Sequence, residues 1–212
     1  IIMQRMVTSS TAAVRQSLER RLAMLEGGGT QQRHMNETDI GETDIEDGDE
    51  AAFEAPSLND RSEIAELQDL VNLAQRAELQ YQDAKVEALF DTLDAVLAEG
   101  SRKVIIFTEF MATQDYLKRL LERRGFTVSI LNGSMSIDER NAVTEEFRTK
   151  TDVFVSTDAG GEGLNLQFAS VVINYDMPWN PMRIEQRCGR VDRIGQTRDV
   201  EVYNFMIDDT VE

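Results

Sequence analysis

The stretch "KVIIF" at residues 103–107 decides the fold class. A short, continuous apolar run predicts a strand buried on both faces, as in a parallel sheet that helices cover on each side. From this stretch to residue 207 the sequence alternates between strand and helix patterns. Because the connections are short, the alternation predicts an α/β domain with a mainly parallel sheet and helices on both of its faces.

The predicted elements of this domain follow from apolar periodicity and from cap residues. The strands are expected at 103–107, 126–131, 152–156, 170–175 and 200–207. The first two helices are expected at 112–125 and 136–147, the second opening with a capping box formed by Ser136 and Glu139. The last helix is expected within "NPMRIEQRCGRVDRI", with Asn180 as its cap and Pro181 in its first turn.

The N-terminal part divides at an acidic segment. Apolar spacing predicts helices at 10–25, 61–80 and 84–99. Residues 27–60 carry glycines and many acidic residues without apolar periodicity, which is typical of a flexible linker. An acidic arm that mimics nucleic acid or binds a basic partner is the alternative. We therefore expect an N-terminal helical segment (1–26), an acidic flexible linker (27–60) that holds the lone His34, and an α/β lobe with its leading helices (61–212).

Composition limits the function classes. The 212 residues have a net charge of −17, which argues against indiscriminate phosphate binding. The acid is concentrated in residues 1–100, which carry 8 Lys+Arg against 21 Asp+Glu, while residues 101–212 carry 14 against 18. One Cys and one His exclude a disulfide framework and a Cys/His zinc site. With no membrane-span or signal pattern, we expect a cytoplasmic protein, and the ends of the chain suggest an excised fragment.

A glycine-rich segment follows one of the predicted strands. Ligands of parallel sheets gather beyond the carboxyl ends of the strands, where "TEF", "NGS" and "TDAGGEGLNLQ" lie. Gly160, Gly161 and Gly163 would free the backbone to approach a ligand and to expose its N–H groups. The alternative is a glycine-rich turn that only lets a helix pack.

The segment "EQRCGRVDRIGQ" at 185–196 places Gln186, Arg190 and Arg193 at helical spacing on one face. Two guanidinium groups beside an amide suit an anion, because the planar fork matches phosphate oxygens. The alternative is that both arginines pair with surface carboxylates. Cys188 is interpreted as a packed thiol, since no neighbouring His or Lys is evident to activate it.

Taken together, "VIIFTEF", "LNGSMSIDER", "STDAGGEGLNLQ" and "INYDMPWNPMRIEQRCGRVDRIGQ" resemble motifs IV to VI of the second RecA-like lobe of Swi/Snf-type ATPases in helicase superfamily two. The resemblance covers roughly residues 84–212 and implies a RecA-like three-layer sandwich. With Asp192 where many eukaryotic remodellers have His, the sequence is closer to bacterial members such as the RNA-polymerase-associated ATPase RapA or phage-defence helicases.

The resemblance implies half of an ATPase site. In such motors the first lobe supplies the P-loop and the residues that hold Mg²⁺, and the second lobe supplies arginine fingers. Carried over, Arg190 and Arg193 would contact the γ-phosphate of ATP, Gln186 would orient the site, and Gly161, Glu162 and Gly163 would lie near the nucleotide. This chain has neither a P-loop nor a D-E-x-[HD] box, so we expect no ATP hydrolysis by the fragment alone.

The resemblance also implies a nucleic-acid groove, with duplex DNA favoured over RNA and a nucleoid-associated bacterial location. Its expected contacts are Thr108, Asn132, Gly133, Ser134, Ser156, Thr157 and Trp179. Trp179 could instead be a core or lobe-interface aromatic. The implied partners are the N-terminal lobe of the same parent, with RNA polymerase or a defence complex as further candidates. Two other functions stay open: a docking module without chemistry, and a self-sufficient small-molecule enzyme, which the missing G-x-G-x-x-G and His base argue against.

Overall fold

A computed structural model of the chain describes residues 2–26, 60–80, 83–98, 100, 102–161 and 163–207. The described helices are α1 (Ile2–Ser9), α2 (Thr11–Glu26), α3 (Asp60–Gln80), α4 (Ala84–Ala98), α5 (Met111–Arg123), α6 (Ile137–Thr149), α7 (Asp158–Gly161) and α8 (Pro181–Cys188). The described strands are β1 (Val104–Phe107), β2 (Val128–Leu131), β3 (Val153–Ser156), β4 (Val171–Asn174) and β5 (Glu201–Asn204).

The five described strands form one sheet in the order β2-β3-β1-β4-β5, and every pair in it is parallel. Phe107 at the end of β1 is in register with Ser156 of β3 and Asn174 of β4. Consequently the carboxyl ends of these strands lie at the same edge of the sheet. The predicted α/β fold is confirmed. Each predicted strand is present and is one to four residues shorter than predicted.

Alternate residues of the central strands pack against opposite layers of helices. On one face, Val104 and Ile106 pack with Val86 and Leu93 of α4 and with Leu117 of α5. On the other face the cluster centres on Phe147 of α6. Its members are Ile105, Phe107, Leu131, Phe147, Phe154, Leu166, Ala169, Val172 and Val191. These two clusters make the domain a three-layer sandwich.

The N-terminal helices pack onto this sandwich. Leu18 of α2 forms a small core with Leu67 and Val71 of α3, while Ala12 belongs to the core formed by α4 and α5. Helix α2 thus contacts both α3 and α5 within the chain. The acidic segment at 27–59, with His34, lies outside the described residues, and α3 begins at Asp60. No helix among those described is long and apolar enough to cross a membrane.

The caps of two helices agree with the sequence prediction. The Ser136 side chain and the Glu139 backbone and side chain form the capping box of α6, and the Asn180 side chain accepts from the Met182 N–H at the start of α8. However, α8 ends at Cys188 with Gly189 as its cap. Arg190 and Arg193 therefore lie beyond the helix, and their predicted alignment with Gln186 on one helix face is wrong.

Candidate nucleotide-facing site of the lobe

A small pocket opens at the carboxyl edge of the sheet. Its cavity volume is about 40 Å³, and it is lined by Phe107, Asp158, Gly161, Arg183, Gln186, Arg187 and Arg190. A single water needs roughly 10–15 Å³ by this measure, so the cavity holds about three waters and not a nucleotide. Three guanidinium groups and one carboxylate border the cavity, so its lining carries an excess of positive charge.

The centre of the pocket wall is Arg187, which is 3% exposed. Its Nε and Nη2 donate to the two carboxylate oxygens of Asp158 at 2.6 and 2.8 Å. Its Nη1 donates to Asn174 Oδ1 and to the Asp176 carbonyl, both at 2.9 Å, and its guanidinium lies 5.2 Å from the centre of the Phe107 ring. With four hydrogen bonds and an aromatic contact, Arg187 is fully engaged within the lobe.

Of the three residues predicted to grip an anion, two line the pocket. Gln186 is exposed at its rim, and Arg190 is half-buried beside it. Arg193 is exposed, and its Nε donates to the Gly189 carbonyl at 3.0 Å. Arg183, which the sequence analysis did not single out, lines the pocket as well and lies 3.5 Å from an Asp158 oxygen.

The glycine-rich segment forms the short helix α7 and the turn after it. A Cβ on Gly160 would lie 2.7 Å from the Leu131 carbonyl oxygen and from Asn132 Cα, so this glycine permits contact with another part of the backbone and not with a ligand. The Gly161 N–H is bonded to the Thr157 carbonyl at 3.0 Å, and Gly163 has a left-handed φ of 78°. Glu162 lies outside the described residues.

The residues predicted to contact nucleic acid differ in accessibility. Thr108, Ser156 and Thr157 are fully buried; the Thr108 hydroxyl donates to Asp176 at 2.6 Å, and the Ser156 hydroxyl to the Thr157 carbonyl at 2.8 Å. Asn132 is 7% exposed. The accessible members of the set are Gly133, Ser134 and Trp179.

Trp179 is 57% exposed and stands beside the N-terminal helix. The guanidinium of Arg5, in α1, lies 5.8 Å from the centre of its ring and also forms an ion pair with Glu109. Burial raises the pKa of the Glu109 carboxyl to about 7, against the opposing effect of Arg5. Asp176 lies nearby in the same buried polar network and accepts from the Ser9 hydroxyl and the Glu109 N–H.

Sequence reasoning missed three residues that organise this edge: Asp158, Arg187 and Arg140. Each was visible only as one charged residue inside a motif, because each has at least one partner that is distant in sequence: Asp158 and Arg187 bind each other, and Arg140 binds Ala159. Cys188 is half-buried, and burial raises the pKa of its thiol, which suits the predicted packed thiol. Within the described ranges, no group of three or more His, Cys, Asp or Glu side chains could hold a metal ion.

Residues 84–195 match the model of the helicase conserved C-terminal domain. The chain belongs to this helicase family. An uncharacterized ATP-dependent helicase, YqhH of Bacillus subtilis, is 40% identical over 164 residues, which are 77% of this chain. The helicase SWR1 of Cryptococcus neoformans is 40% identical over 137 residues, which are 63% of this chain. The predicted Swi/Snf-type helicase C-terminal lobe is thereby confirmed.

Solved structures agree with this helicase lobe. The C-terminal part of the Fun30 ATPase domain has a TM-score of 0.57 at 26% identity, covering 69% of this chain and 51% of that one. The Pyrococcus furiosus Hef helicase domain has a TM-score of 0.61 at 20% identity, covering 96% and 37%, and shows the fold alone. The chain spans 28% of the length of YqhH and 11% of that of SWR1. A kinship with RapA or with phage-defence helicases stays a prediction.

Proposed function

We propose that this lobe is the C-terminal half of an ATP-dependent motor that moves along nucleic acid, with duplex DNA as the favoured track. The observation that carries the proposal is the pocket at the carboxyl edge of the sheet, where Arg183, Arg187 and Arg190 surround a cavity too small for a nucleotide. A cationic wall of this kind suits the terminal phosphate of ATP when a second lobe holds the rest of the molecule.

Within this wall, Arg190 is the proposed arginine finger. Arg187 is held by Asp158, Asn174 and Asp176, whereas Arg190 is half-buried at the pocket. A guanidinium that reaches a transferring phosphoryl group stabilises the charge that develops on its oxygens, an effect worth ~10³–10⁵ in turnover in related NTPases. Arg193 is the proposed second finger, and Gln186, exposed at the rim, would orient the attacking water or a phosphate oxygen.

The isolated lobe would not hydrolyse ATP, because it would supply only one side of the site. Gly161 is the backbone group of the glycine-rich segment that lines the pocket, and Glu162 and Gly163 follow it. By resemblance to the family, Mg²⁺ would be held by the N-terminal lobe. When bound, the ion would neutralise phosphate charge, and the part of this lobe would be to supply cations from the opposite side and to exclude water.

Movement would follow from cycles of lobe closure. ATP would draw the lobes together across the arginine wall, and hydrolysis would let them part. Gly133 and Ser134, in the turn Asn132–Met135, would grip the track together with Trp179, because these three are the accessible positions among the predicted contacts. Contacts of this type position a strand without reading its sequence. Docking on RNA polymerase or on a defence complex stays a prediction of the resemblance.

The deciding experiment measures ATP turnover by a protein in which this lobe is joined to its nucleotide-binding partner lobe. Arg190→Ala and Arg190→Lys should each lower the turnover number by about 10³ or more, with little change in nucleic-acid affinity. The matched control is Arg123→Ala, which removes an equal charge from an exposed position in the last turn of α5. Turnover within a factor of two of wild type in Arg190→Ala would refute the finger assignment.

The isolated 212-residue chain provides a second test. It should show no ATP turnover above background, because it lacks the P-loop and the Mg²⁺ ligands of the other lobe. Turnover by the purified chain that disappears in Arg190→Ala would mean that the lobe holds a complete site, and the proposal of a divided site would then be wrong.

A further inference from the structure

We infer that Arg140 is a positioning residue that joins the nucleic-acid-facing turn of this lobe to its nucleotide pocket, an inference that rests on the function proposed above. The turn is Asn132–Met135, which follows β2 and contains the predicted contacts Gly133 and Ser134. The pocket side is α7, whose Asp158 and Gly161 line the cavity.

Arg140 binds both elements through backbone carbonyls. Its Nη2 donates to the Gly133 carbonyl at 2.8 Å and its Nε to the Met135 carbonyl at 3.0 Å. Its Nη1 donates to the Ala159 carbonyl of α7 at 3.2 Å. One planar guanidinium thus holds two carbonyls of the turn and one of the helix in a fixed arrangement, which an ammonium group cannot reproduce.

The position of Arg140 is itself fixed by the start of α6. The capping box of Ser136 and Glu139 ends the turn and begins the helix, and the Arg140 N–H donates to the Ser136 carbonyl at 2.9 Å. The cap joins the turn directly to α6. The Arg140 guanidinium is therefore held beside the carbonyls of the turn that precedes its own helix. The contacts of Arg140 with Gly133 and Met135 are therefore local, whereas its contact with Ala159 depends on the packing of α7.

The turn and α7 also touch directly. Gly160 packs so closely on the backbone of Leu131 and Asn132 that a Cβ would lie 2.7–2.9 Å from their atoms. From below, the Gln114 amide donates to the Leu131 and Val155 carbonyls at 2.8 and 2.9 Å. A shift of α7 toward the turn would therefore press on the backbone of Leu131 and Asn132.

The opposite side of α7 is bound to the pocket wall. The Asp158 carboxylate accepts two hydrogen bonds from Arg187. Arg187 precedes Arg190 by three residues in the sequence. An anion that moves this wall would act on α7 through Asp158, and α7 would act on the turn through Arg140. We assign this second step to Arg140, whose side chain does not line the pocket and donates to the backbone carbonyls of both elements.

The test compares Arg140→Lys and Arg140→Ala in the protein with both lobes. ATP turnover is measured without nucleic acid and with saturating duplex DNA, and the KM for ATP and the Kd for duplex are determined for each variant. We expect the stimulation by DNA to fall about tenfold in both variants, within the range of allosteric couplings. Basal turnover and the KM for ATP should stay within a factor of two of wild type.

The matched control is Arg148→Ala, because Arg148 is an exposed residue of the same helix whose ion-pair partner is Glu145 in the same helix. It should keep wild-type stimulation. Normal stimulation in Arg140→Lys would show that charge alone is needed and would overturn the inference, as would wild-type stimulation in both variants. Loss of basal turnover in the folded lysine variant would assign Arg140 to the pocket instead and would also overturn it.

These results separate the inference from the proposed function. If wild type hydrolyses ATP through Arg190 and is stimulated by DNA, but the Arg140 variants are stimulated as strongly as wild type, only the inference fails. If wild type shows no DNA stimulation, the nucleic-acid part of the proposed function fails and the inference fails with it. Thermal unfolding of each variant identifies misfolding of Arg140→Ala, in which case the lysine variant decides.

Discussion

Arg187 and Asp158 form a buried, two-bond ion pair that joins α8 to α7. The Arg187 guanidinium also lies 5.2 Å from the centre of the Phe107 ring and donates to two more acceptors, Asn174 Oδ1 and the Asp176 carbonyl. Since α8 carries the chain into Arg190 and α7 borders the Asn132–Met135 turn, this pair lies where the two predicted binding functions of the helicase lobe meet.

Breaking this pair should destabilise the lobe strongly. Arg187→Leu removes the donor of the Asn174 amide oxygen and of the Asp176 carbonyl, and it leaves the Asp158 carboxylate with only the 3.5 Å contact to Arg183. Removal of one partner of a buried ion pair costs about 3–5 kcal/mol, and we expect a loss of this size in the free energy of unfolding. Urea denaturation of the chain measures it.

The matched control is Arg183→Leu, which removes a more exposed arginine from the same pocket, at 3.5 Å from Asp158. It should cost less than about 1 kcal/mol, because partly exposed pairs contribute little. Equal losses of unfolding free energy in the two variants would show that the Arg187–Asp158 pair stabilises the lobe no more than the Arg183 contact does.

The sequence predicted the sheet well and the pocket only in part. The strands and the α6 and α8 caps were readable because apolar runs and cap residues are local signals. The end of α8 was not, because "RCGRVDRI" continues an acceptable helical spacing, whereas the helix ends at Cys188 with Gly189 as its cap. The roles of Asp158 and Arg140 depend on partners 29 and 19 residues away, which no local pattern encodes.

Gly160 should be the least replaceable glycine of the segment that enters α7. In Gly160→Ala the new methyl carbon would meet the Leu131 carbonyl oxygen and Asn132 Cα at 2.7 Å, and both are backbone atoms that cannot rotate away. Overpacking of this kind costs about 1–3 kcal/mol, and the forced shift should also displace the Asn132–Met135 turn. Urea denaturation together with amide hydrogen exchange of residues 131–135 would measure both effects.

Gly163→Ala is the comparison for this prediction. Its left-handed φ of 78° strains an alanine, but no atom lies within 4 Å of the new Cβ. We expect a loss of about 1–2 kcal/mol from the backbone conformation alone, without faster exchange at residues 131–135. Undisturbed exchange in Gly160→Ala would contradict the close packing of α7 on the turn.

Glu109 should make the stability of the lobe depend on pH. Burial raises the pKa of its carboxyl from 4.5 to about 7, so the folded state binds a proton more tightly than the unfolded state does. This contribution to stability is present below pH 4.5 and is lost as the pH rises through 7. The loss amounts to about 3 kcal/mol at most, and Glu109→Gln should remove it. Unfolding free energies of both proteins at pH 5 and pH 8 give the comparison.

For Glu139 we expect the opposite dependence of stability on pH, so Glu139→Gln is the control for the direction of the effect. Hydrogen bonds from Ser136 lower the pKa of the exposed Glu139 carboxyl, so its contribution is present at pH 8 and weakens as the pH falls. If Glu109→Gln and wild type lose stability in parallel between pH 5 and pH 8, the buried carboxyl does not titrate in this window.

Trp179 offers a direct optical test of the nucleic-acid face, since it is the only Trp of the chain. Its ring is 57% exposed, with the Arg5 guanidinium on one side, so a base could stack on the open part of the ring. Stacking contributes ~1–3 kcal/mol per base, and it quenches indole fluorescence. Titration of the two-lobe protein that retains only this Trp should show quenching by single-stranded or duplex DNA, and Trp179→Phe should bind more tightly than Trp179→Ala. Binding that leaves the emission unchanged and is equal in both variants would place Trp179 outside the track and favour its alternative role at the interface with another lobe.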